Sequence, residues 1–68
     1  MRLKELRKNK RISQLKLAMD LNMNQNTISR YETGEREPGI IEIIKIANYF
    51  NVSIDYLLEQ TENPNRNK

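Results

Sequence analysis

The sequence predicts an all-α fold, a compact bundle of five short helices. Apolar residues recur at spacings of three and four, capping residues interrupt them at short intervals, and no segment alternates apolar and polar residues as a strand would. A chain of 68 residues is expected to be one domain or a fragment of one. It should bury only about 60% of the surface that it exposes when unfolded, so modest stability is expected.

The first helix is predicted over residues 2–10 and the second over residues 14–21. Ser13 is a good N-cap for the second, because its hydroxyl can accept a hydrogen bond from a backbone N–H of the first turn. The apolar residues expected to face the core are Leu3, Leu6, Leu17, Ala18 and Leu21.

The third helix is predicted over residues 25–33, between Asn24 as N-cap and Gly34 as the C-terminal signal. Ile28 and Tyr31 share one side of it, three positions apart. The other side carries Gln25, Asn26, Ser29, Arg30 and Thr33. Lysine and glutamate favour helix and usually fill a solvated face, whereas amides and hydroxyls are poorer helix formers. The polar side of the third helix is therefore predicted to be a binding surface.

The fourth helix is predicted over residues 39–50, after a loop over 35–39, and the fifth from the N-cap Ser53 through residue 58. The residues predicted to face inward are Ile40, Ile43, Ile44, Ala47, Phe50, Ile54, Leu57 and Leu58. The domain is expected to occupy residues 1–60. Residues 61–68 are polar and contain a proline, so a flexible tail is predicted there.

Composition excludes several classes of function. The chain has no cysteine, so it can form neither a disulfide nor a thiolate metal site, and no histidine, the commonest general base and zinc ligand. Its carboxylates are scattered and its serines have no histidine to activate them. We therefore predict no enzyme, no metal, no cofactor and no small-molecule ligand. The charged N-terminus has no signal-peptide core and no apolar run could span a membrane, so a cytoplasmic location is expected.

Charge is divided along the chain. Residues 1–16 carry seven Lys or Arg against one Glu, whereas residues 32–62 carry seven acidic residues against two basic ones. Such a division favours a polyanionic partner for one face of the molecule. The alternative is ordinary charge on a solvated surface.

Two helices joined by a short turn, the second with a polar outer face, are typical of a helix-turn-helix. The major groove of DNA accepts one helix, and its base edges present hydrogen-bond donors and acceptors in a pattern that distinguishes each base pair. Amides can grip adenine and arginine can grip guanine with two bonds each. The third helix, at about 25–33, is thus predicted to contact bases through Gln25, Asn26, Ser29 and Arg30. A plain polar surface is the alternative.

The segments that follow one another over about residues 2–58 resemble the Cro/phage-repressor helix-turn-helix family, also called XRE-type: RLKELR, ISQ, LAMDLNM, TISRYETGEREP and KIANYFNVSIDYLL. The resemblance implies a lambda-repressor-like DNA-binding domain that binds double-stranded DNA and regulates transcription, commonly as a dimeric repressor. We therefore expect a sequence-specific regulator, a repressor of a mobile element, phage or toxin-type operon, that binds an inverted repeat.

The resemblance also implies roles for individual residues. Gln14 would bond a DNA phosphate and can brace Gln25, while Arg7 and Glu32 would form an internal salt bridge. The alternative is that Arg7 contacts a phosphate and Glu32 is a solvated acid. Residues expected along the DNA backbone are Lys10, Arg11, Gln14, Thr33, Gly34 and Arg36. A homodimer, weak in the absence of DNA, would use Pro38, Ile54, Tyr56 and Leu57.

Some positions depart from the family pattern. Leu15, Met19 and Ile41 stand where polar residues are usual, and Glu35 and Glu37 make the loop after the third helix acidic. The three apolar residues are either ordinary exposed apolar side chains, which are common, or contacts for a partner chain or a further domain. The second interpretation, together with the acidic loop, motivates an alternative function, a protein-interaction module with the same fold that no longer binds DNA.

An RNA-binding bundle is disfavoured, because it needs exposed aromatic side chains to stack on bases. Tyr31 is predicted to be in the core, and Tyr49 and Tyr56 are predicted to lie away from the basic face.

Overall fold

The computed structural model describes residues 1–65, and every regular element in that range is a helix. The elements are α1 (Leu3–Asn9), α2 (Gln14–Leu21), α3 (Gln25–Thr33), α4 (Ile40–Phe50) and α5 (Ile54–Leu57). The predicted all-α fold with five helices is confirmed, and the bounds of α2 and α3 agree with those predicted. Residues 66–68, the end of the predicted tail, lie outside the described residues.

Side-chain caps explain where three of the helices begin. Ser13, Asn24 and Ser53 each have extended backbone, and their side-chain oxygens accept backbone N–H groups of the first turn at 2.7–3.0 Å. A cap of this kind is worth about 1 kcal/mol to a helix. The three N-caps predicted from the sequence are therefore confirmed.

Left-handed residues end the three longest helices. Gly34 closes α3 with φ of 83°, as its position in the sequence predicts. Asn22 closes α2 and Asn51 closes α4 with φ of 57° and 55°. Asparagine tolerates this conformation better than most residues because its short polar side chain bonds locally. Each asparagine turns the chain within two or three residues, which keeps α2 close to α3 and α4 close to α5.

One core joins the five helices, and α2 and α3 share the most extensive packing of any pair. Its buried residues are Leu3, Leu17, Ala18, Leu21, Ile28, Tyr31, Ile46, Ala47, Val52 and Leu57. The inward stripes predicted for α2 and α3 are confirmed, and so is Tyr31 as a core residue. Val52, in the connection between α4 and α5, is also buried and attaches this connection to the core.

The predicted inner face of α4 is wrong in part. Ile40 is 66% exposed and Ile44 is also exposed, whereas Ile46 is completely buried. The segment IIEIIKIA contains two overlapping helical stripes, and spacing alone does not distinguish them. Packing on the core selects the stripe of Ile43, Ile46, Ala47 and Phe50, which leaves the other isoleucines in solvent.

The N-terminus closes the bundle against α5. The Arg2 backbone N–H donates to the Leu57 carbonyl at 2.9 Å, and the Arg2 guanidinium lies 4.3 Å from the centre of the Tyr56 ring. Leu57 is completely buried under these contacts, but Leu58 was wrongly predicted to face inward and is exposed because α5 ends before it.

Arg2 also bonds the Thr61 carbonyl and Glu62, so the start of the predicted tail touches the bundle. The tail's flexibility stays a prediction. Over residues 1–65, none of the helices has the length and apolar character needed to cross a bilayer, and acidic side chains do not gather into a metal-binding group.

The two stripes of α4 allow a matched test of the core. Ile46→Val should lower the free energy of unfolding by about 1 kcal/mol, because it removes a buried methyl group and leaves a small cavity. Ile41→Val makes the same chemical change on a side chain that is 68% exposed, and should leave stability within about 0.5 kcal/mol of the parent. Urea denaturation followed by circular dichroism measures both. Equal losses would mean that α4 packs through the other stripe.

Candidate nucleic-acid interface

The outward face of α3 is polar and accessible. Gln25, Asn26 and Arg30 are exposed and Ser29 is half-buried, while Ile28 on the opposite side is completely buried. Burial of the inner face fixes the rotation of α3, so the side chains predicted to contact bases are held on its solvent side. The structure thus brings all four together on one helix, although their contacts with DNA stay predictions.

The first turns of α2 and α3 contain no acidic residue, unlike those of α1, α4 and α5. The N-terminus of a helix carries partial positive charge, and an acidic residue in the first turn would offset it. The N-termini of α2 and α3 therefore suit an anionic partner better than the N-termini of the other three helices do.

A buried polar cluster lies behind α3. Arg7 Nε donates to Glu32 Oε2 at 2.6 Å and Arg7 Nη2 donates to Glu32 Oε1 at 3.1 Å, while Arg7 Nη1 donates to the Ile12 carbonyl at 2.9 Å. Gln14 Nε2 donates to Glu32 Oε1 at 3.1 Å. The geometry agrees with the internal salt bridge and not with a solvated Glu32. The cluster ties α1, the α1–α2 connection and α2 to α3.

Opposing effects set the pKa of Glu32. Burial alone raises it, because the side chain is only 2% exposed and the charged form loses its hydration. Hydrogen bonds from Arg7 and Gln14 and the charge of Arg7 outweigh burial, so the pKa of Glu32 lies below its ordinary value. The hydrogen bond to Glu32 in turn raises the pKa of Arg7. Both groups are therefore ionised at neutral pH.

The amide of Gln14 points at Glu32, which the sequence did not indicate. The expected bracing of Gln25 and the bond to a phosphate stay predictions. Gln14 is half-buried at the first position of α2, and its amide has a second N–H and a carbonyl besides the group that bonds Glu32.

The loop after α3 is exposed, and the N–H groups of Gly34 and Arg36 in it are occupied. The Gly34 N–H donates to the Tyr31 carbonyl at 3.4 Å and the Arg36 N–H to the Arg30 carbonyl at 3.3 Å. The Thr33 hydroxyl lies within hydrogen-bond distance of the Arg30 carbonyl and of Glu35. A phosphate contact from Thr33 thus requires its hydroxyl to leave these acceptors, and the Arg36 side chain remains the simplest donor in the loop.

Lys10 and Arg11, at the end of α1, are both exposed. Arg11 adopts a left-handed conformation with φ of 59°, which costs about 1–2 kcal/mol for most residues. Arg11 lies in the connection between α1 and α2. The next residue in this connection is Ile12, whose carbonyl accepts the hydrogen bond from Arg7. The backbone of Arg11 therefore directs the chain from α1 into α2.

The prediction that Tyr49 and Tyr56 lie away from the basic face is wrong for both residues, because Arg2 lies against the Tyr56 ring and Lys10 lies near the Tyr49 ring. The Lys10 ammonium lies 5.7 Å from the centre of the Tyr49 ring, and the Tyr49 hydroxyl donates to Asp20 at 2.5 Å. Asp20 also accepts from Lys16 at 3.1 Å, and these two bonds lower the pKa of Asp20. The sequence carried no signal for this cluster, because only the docking of α4 beside α2 brings Tyr49 to Asp20.

The prediction that Leu57 forms a dimer contact is wrong, because its side chain is completely buried in the core and cannot reach a second chain. Pro38, Ile54 and Tyr56 are half-buried. Ile54 and Tyr56 also pack against the core, which reduces the apolar area that they can offer.

The acid sensitivity of the fold tests the cluster. The pKa of Glu32 is lowered in the folded state, so its contribution to stability is present above the ordinary glutamate pKa of about 4.3 and is lost as the pH falls through the lowered value. Below about pH 4 the free energy of unfolding should therefore fall by up to about 1.4 kcal/mol per pH unit on account of this group.

The matched control is Arg7→Met with Glu32→Met, which replaces both charges by apolar side chains of similar size and should stay folded. Its stability should fall less steeply with acid than that of the parent, whereas Arg7→Met alone should cost about 3–5 kcal/mol because Glu32 is left buried without its partner. Urea denaturation at a series of pH values measures both. Identical slopes for parent and double variant would contradict the role of Glu32.

Comparison with known proteins agrees with this geometry. A helix-turn-helix family model matches residues 3–57. The chain is 39% identical over 67 residues to the HTH-type transcriptional regulator ImmR of Bacillus subtilis (strain 168), covering 98% of this chain and 53% of that protein. From the same organism, the uncharacterized HTH-type transcriptional regulator YqaE is 39% identical over 61 residues, covering 90% and 53%.

The SPbeta prophage-derived uncharacterized HTH-type transcriptional regulator YonR, also of Bacillus subtilis (strain 168), is 37% identical over 60 residues, covering 88% of this chain and 56% of that protein. The chain thus spans about half the length of the curated relatives that it matches. No solved structure matches it significantly.

The family match includes all five helices, the buried ion pair and the polar face of α3. These relatives are all named HTH-type transcriptional regulators. The resemblance noted in the sequence is confirmed, and the chain belongs to the XRE-type helix-turn-helix family.

Proposed function

We propose that this chain is a sequence-specific, double-stranded DNA-binding transcriptional regulator that places α3 in the major groove. The observation that carries the proposal is the outward face of α3, where Gln25, Asn26 and Arg30 are exposed on a helix whose rotation the core fixes. A rigid helix with bidentate donors and acceptors is what recognition of base edges requires. Family membership supports the same function.

Contacts to the DNA backbone would flank α3. Lys10 and Arg11 supply exposed charge at the end of α1, Gln14 supplies an amide at the start of α2, and Arg36 supplies a guanidinium beyond α3. Such contacts set the orientation of a protein on the duplex without selecting a sequence. Selection would then depend on the four side chains of α3.

Repression of a mobile element, phage or toxin-type operon is proposed as the biological role. One relative, YonR, is described as prophage-derived, which supports the association with a mobile element. A reporter placed downstream of the selected DNA site distinguishes the outcomes, because a repressor lowers its expression and an activator raises it.

A homodimer on an inverted repeat is proposed as the binding form, with a revised contact surface. Ile40, Ile41 and Ile44 form an exposed apolar strip at the start of α4, next in sequence to Pro38. A cleft of about 430 Å³ lies beside the α3–α4 loop, and Pro38, Ile43 and Leu58 are among its lining residues. A strip of three isoleucines is small for a protein interface, so the dimer should be weak without DNA.

An interaction module that no longer binds DNA is the alternative, favoured by a second apolar pair. Leu15 and Met19, one turn apart on α2, are 53% and 69% exposed. Such a module should not bind a mixed-sequence duplex at low salt, whereas a DNA-binding regulator should bind it and weaken steeply as salt rises.

The assigned readout is tested with a duplex enriched from a random library by the protein. Gln25→Ala and Arg30→Ala should each weaken binding to it by about 1–3 kcal/mol and relax the base preference, because each removes a bidentate contact to a base edge. Repeating the selection with each variant measures both effects. Unchanged affinity and preference would show that α3 does not contact the bases through these residues.

The matched control is Arg11→Asn, since asparagine accepts the left-handed backbone of this position while removing the charge. It should weaken binding to all duplexes alike and lower the dependence of log K on log salt by about one unit. A change in base preference with Arg11→Asn would move the readout from α3 to the end of α1.

The dimer surface is tested by placing a charge in the apolar strip. At protein concentrations where the parent self-associates without DNA, Ile41→Asp should shift it to monomer in sedimentation. It should also abolish cooperative binding to an inverted repeat, since a buried unpaired charge opposes association. Leu15→Asp, the same kind of change on exposed α2, is the control and should leave the sedimentation of the protein unchanged. Dissociation by Leu15→Asp and not by Ile41→Asp would move the interface to α2.

A further inference from the structure

We propose that Glu32, besides pairing with Arg7, is a positioning residue that holds the Gln14 amide in the orientation used to contact a DNA phosphate. The proposal rests on the DNA-binding function proposed above. It adds to that function a link between the buried ion pair and the outer contact of α2 with the DNA backbone.

The chemistry of Glu32 decides which end of the Gln14 amide faces it. An ionised carboxylate can only accept hydrogen bonds, so the group within 3.1 Å of Glu32 Oε1 must be the NH₂ of Gln14 and not its carbonyl. A glutamine without such a partner could present either end, since the amide has similar shape in both orientations. Glu32 removes that ambiguity before DNA arrives.

Glu32 is itself immobilised. Its side chain is almost fully buried, and Arg7 holds both of its oxygens through Nε at 2.6 Å and Nη2 at 3.1 Å. The guanidinium is planar and its fork matches a carboxylate, so the pair fixes direction as well as distance. Gln14 is therefore anchored on a rigid acceptor.

The second N–H of Gln14 is the group that remains for DNA. A phosphate oxygen accepts hydrogen bonds, so it takes an N–H and has no use for the amide carbonyl. Gln14 is the first residue of α2 and is half-buried, so part of its side chain is open to solvent while its amide is anchored on Glu32. The entropy of ordering this side chain is lost when the protein folds and not when it binds, which favours binding.

The Glu32 carboxylate also fixes the position of the phosphate contact relative to the base contacts. Glu32 belongs to α3, whose outward face carries Gln25 and Arg30, whereas Gln14 belongs to α2. The bond between them sets the position of the phosphate contact relative to the helix that enters the groove. Such fixed geometry is what allows backbone contacts to orient a recognition helix.

A double-mutant cycle tests the link. Gln14→Ala in the parent should weaken binding to the library-selected duplex about tenfold, as expected for a hydrogen bond to a charged group. In the background of Arg7→Met with Glu32→Met, Gln14→Ala should cost about twofold or less, because the amide is no longer held. An equal loss in both backgrounds would overturn the proposal.

Lower stability of the double variant is controlled with Ile46→Val, which weakens the core without touching Arg7, Gln14 or Glu32. In this background Gln14→Ala should keep its full effect of about tenfold. If its effect is reduced there as well, the loss of coupling comes from general loosening of the fold, and the proposal fails.

Nuclear magnetic resonance without DNA supplies an independent readout. In the parent, the two side-chain NH₂ protons of Gln14 should be well separated in chemical shift, with one exchanging slowly with water. In the double variant they should approach the values of an exposed glutamine. No difference between the two proteins would overturn the positioning role. Failure of the parent to bind any duplex would instead refute the proposed function, since the DNA-free spectra do not depend on it.

Discussion

The buried cluster of Arg7, Glu32 and Gln14 is the interaction on which the arrangement of the first three helices depends. A buried ion pair contributes little net stability compared with apolar side chains of the same size, because two charges lose their hydration. Its partners must, however, meet in one geometry, since either charge left alone in the interior is strongly unfavourable. Alignments of α1, α2 and α3 that separate these charges would therefore be disfavoured, and this would help to hold the face of α3 that is proposed to enter the groove in one orientation.

In the second half of the chain, α4 has more apolar surface than the core covers. α4 is rich in isoleucine on more than one side, but a bundle of this size covers only one of its stripes. Ile46 completes the core, whereas Ile40 and Ile41 stay in solvent. Apolar side chains are common on protein surfaces, but three close together on one helix support the dimer contact proposed above. This is why the proposed dimer surface moves from Leu57 to α4.

Local chemistry predicted most of the fold and tertiary packing decided the rest. Ser13, Asn24 and Gly34 act within a few residues of their own position, so the bounds of α2 and α3 could be predicted from the sequence. The inner face of α4 could not, because two stripes of isoleucine have the same period. Contacts between distant segments were predicted only where the family pattern names them: the pair of Arg7 and Glu32 was anticipated, whereas Tyr49 on Asp20 was not.

The internal ion pairs also change what the basic N-terminal third can contribute to DNA binding. Arg2, Arg7 and Lys16 each bond an acidic group within the chain, and Arg36 lies between Glu35 and Glu37. The number of basic residues thus overstates the charge that can displace counterions from DNA. Uncharged amides on α3 would supply a larger share of the specific interaction, and neutral hydrogen bonds are less affected by salt than ionic contacts are. Binding to non-specific DNA should then weaken with salt sooner than binding to the selected site, so specificity rises as ionic strength approaches that of the cell.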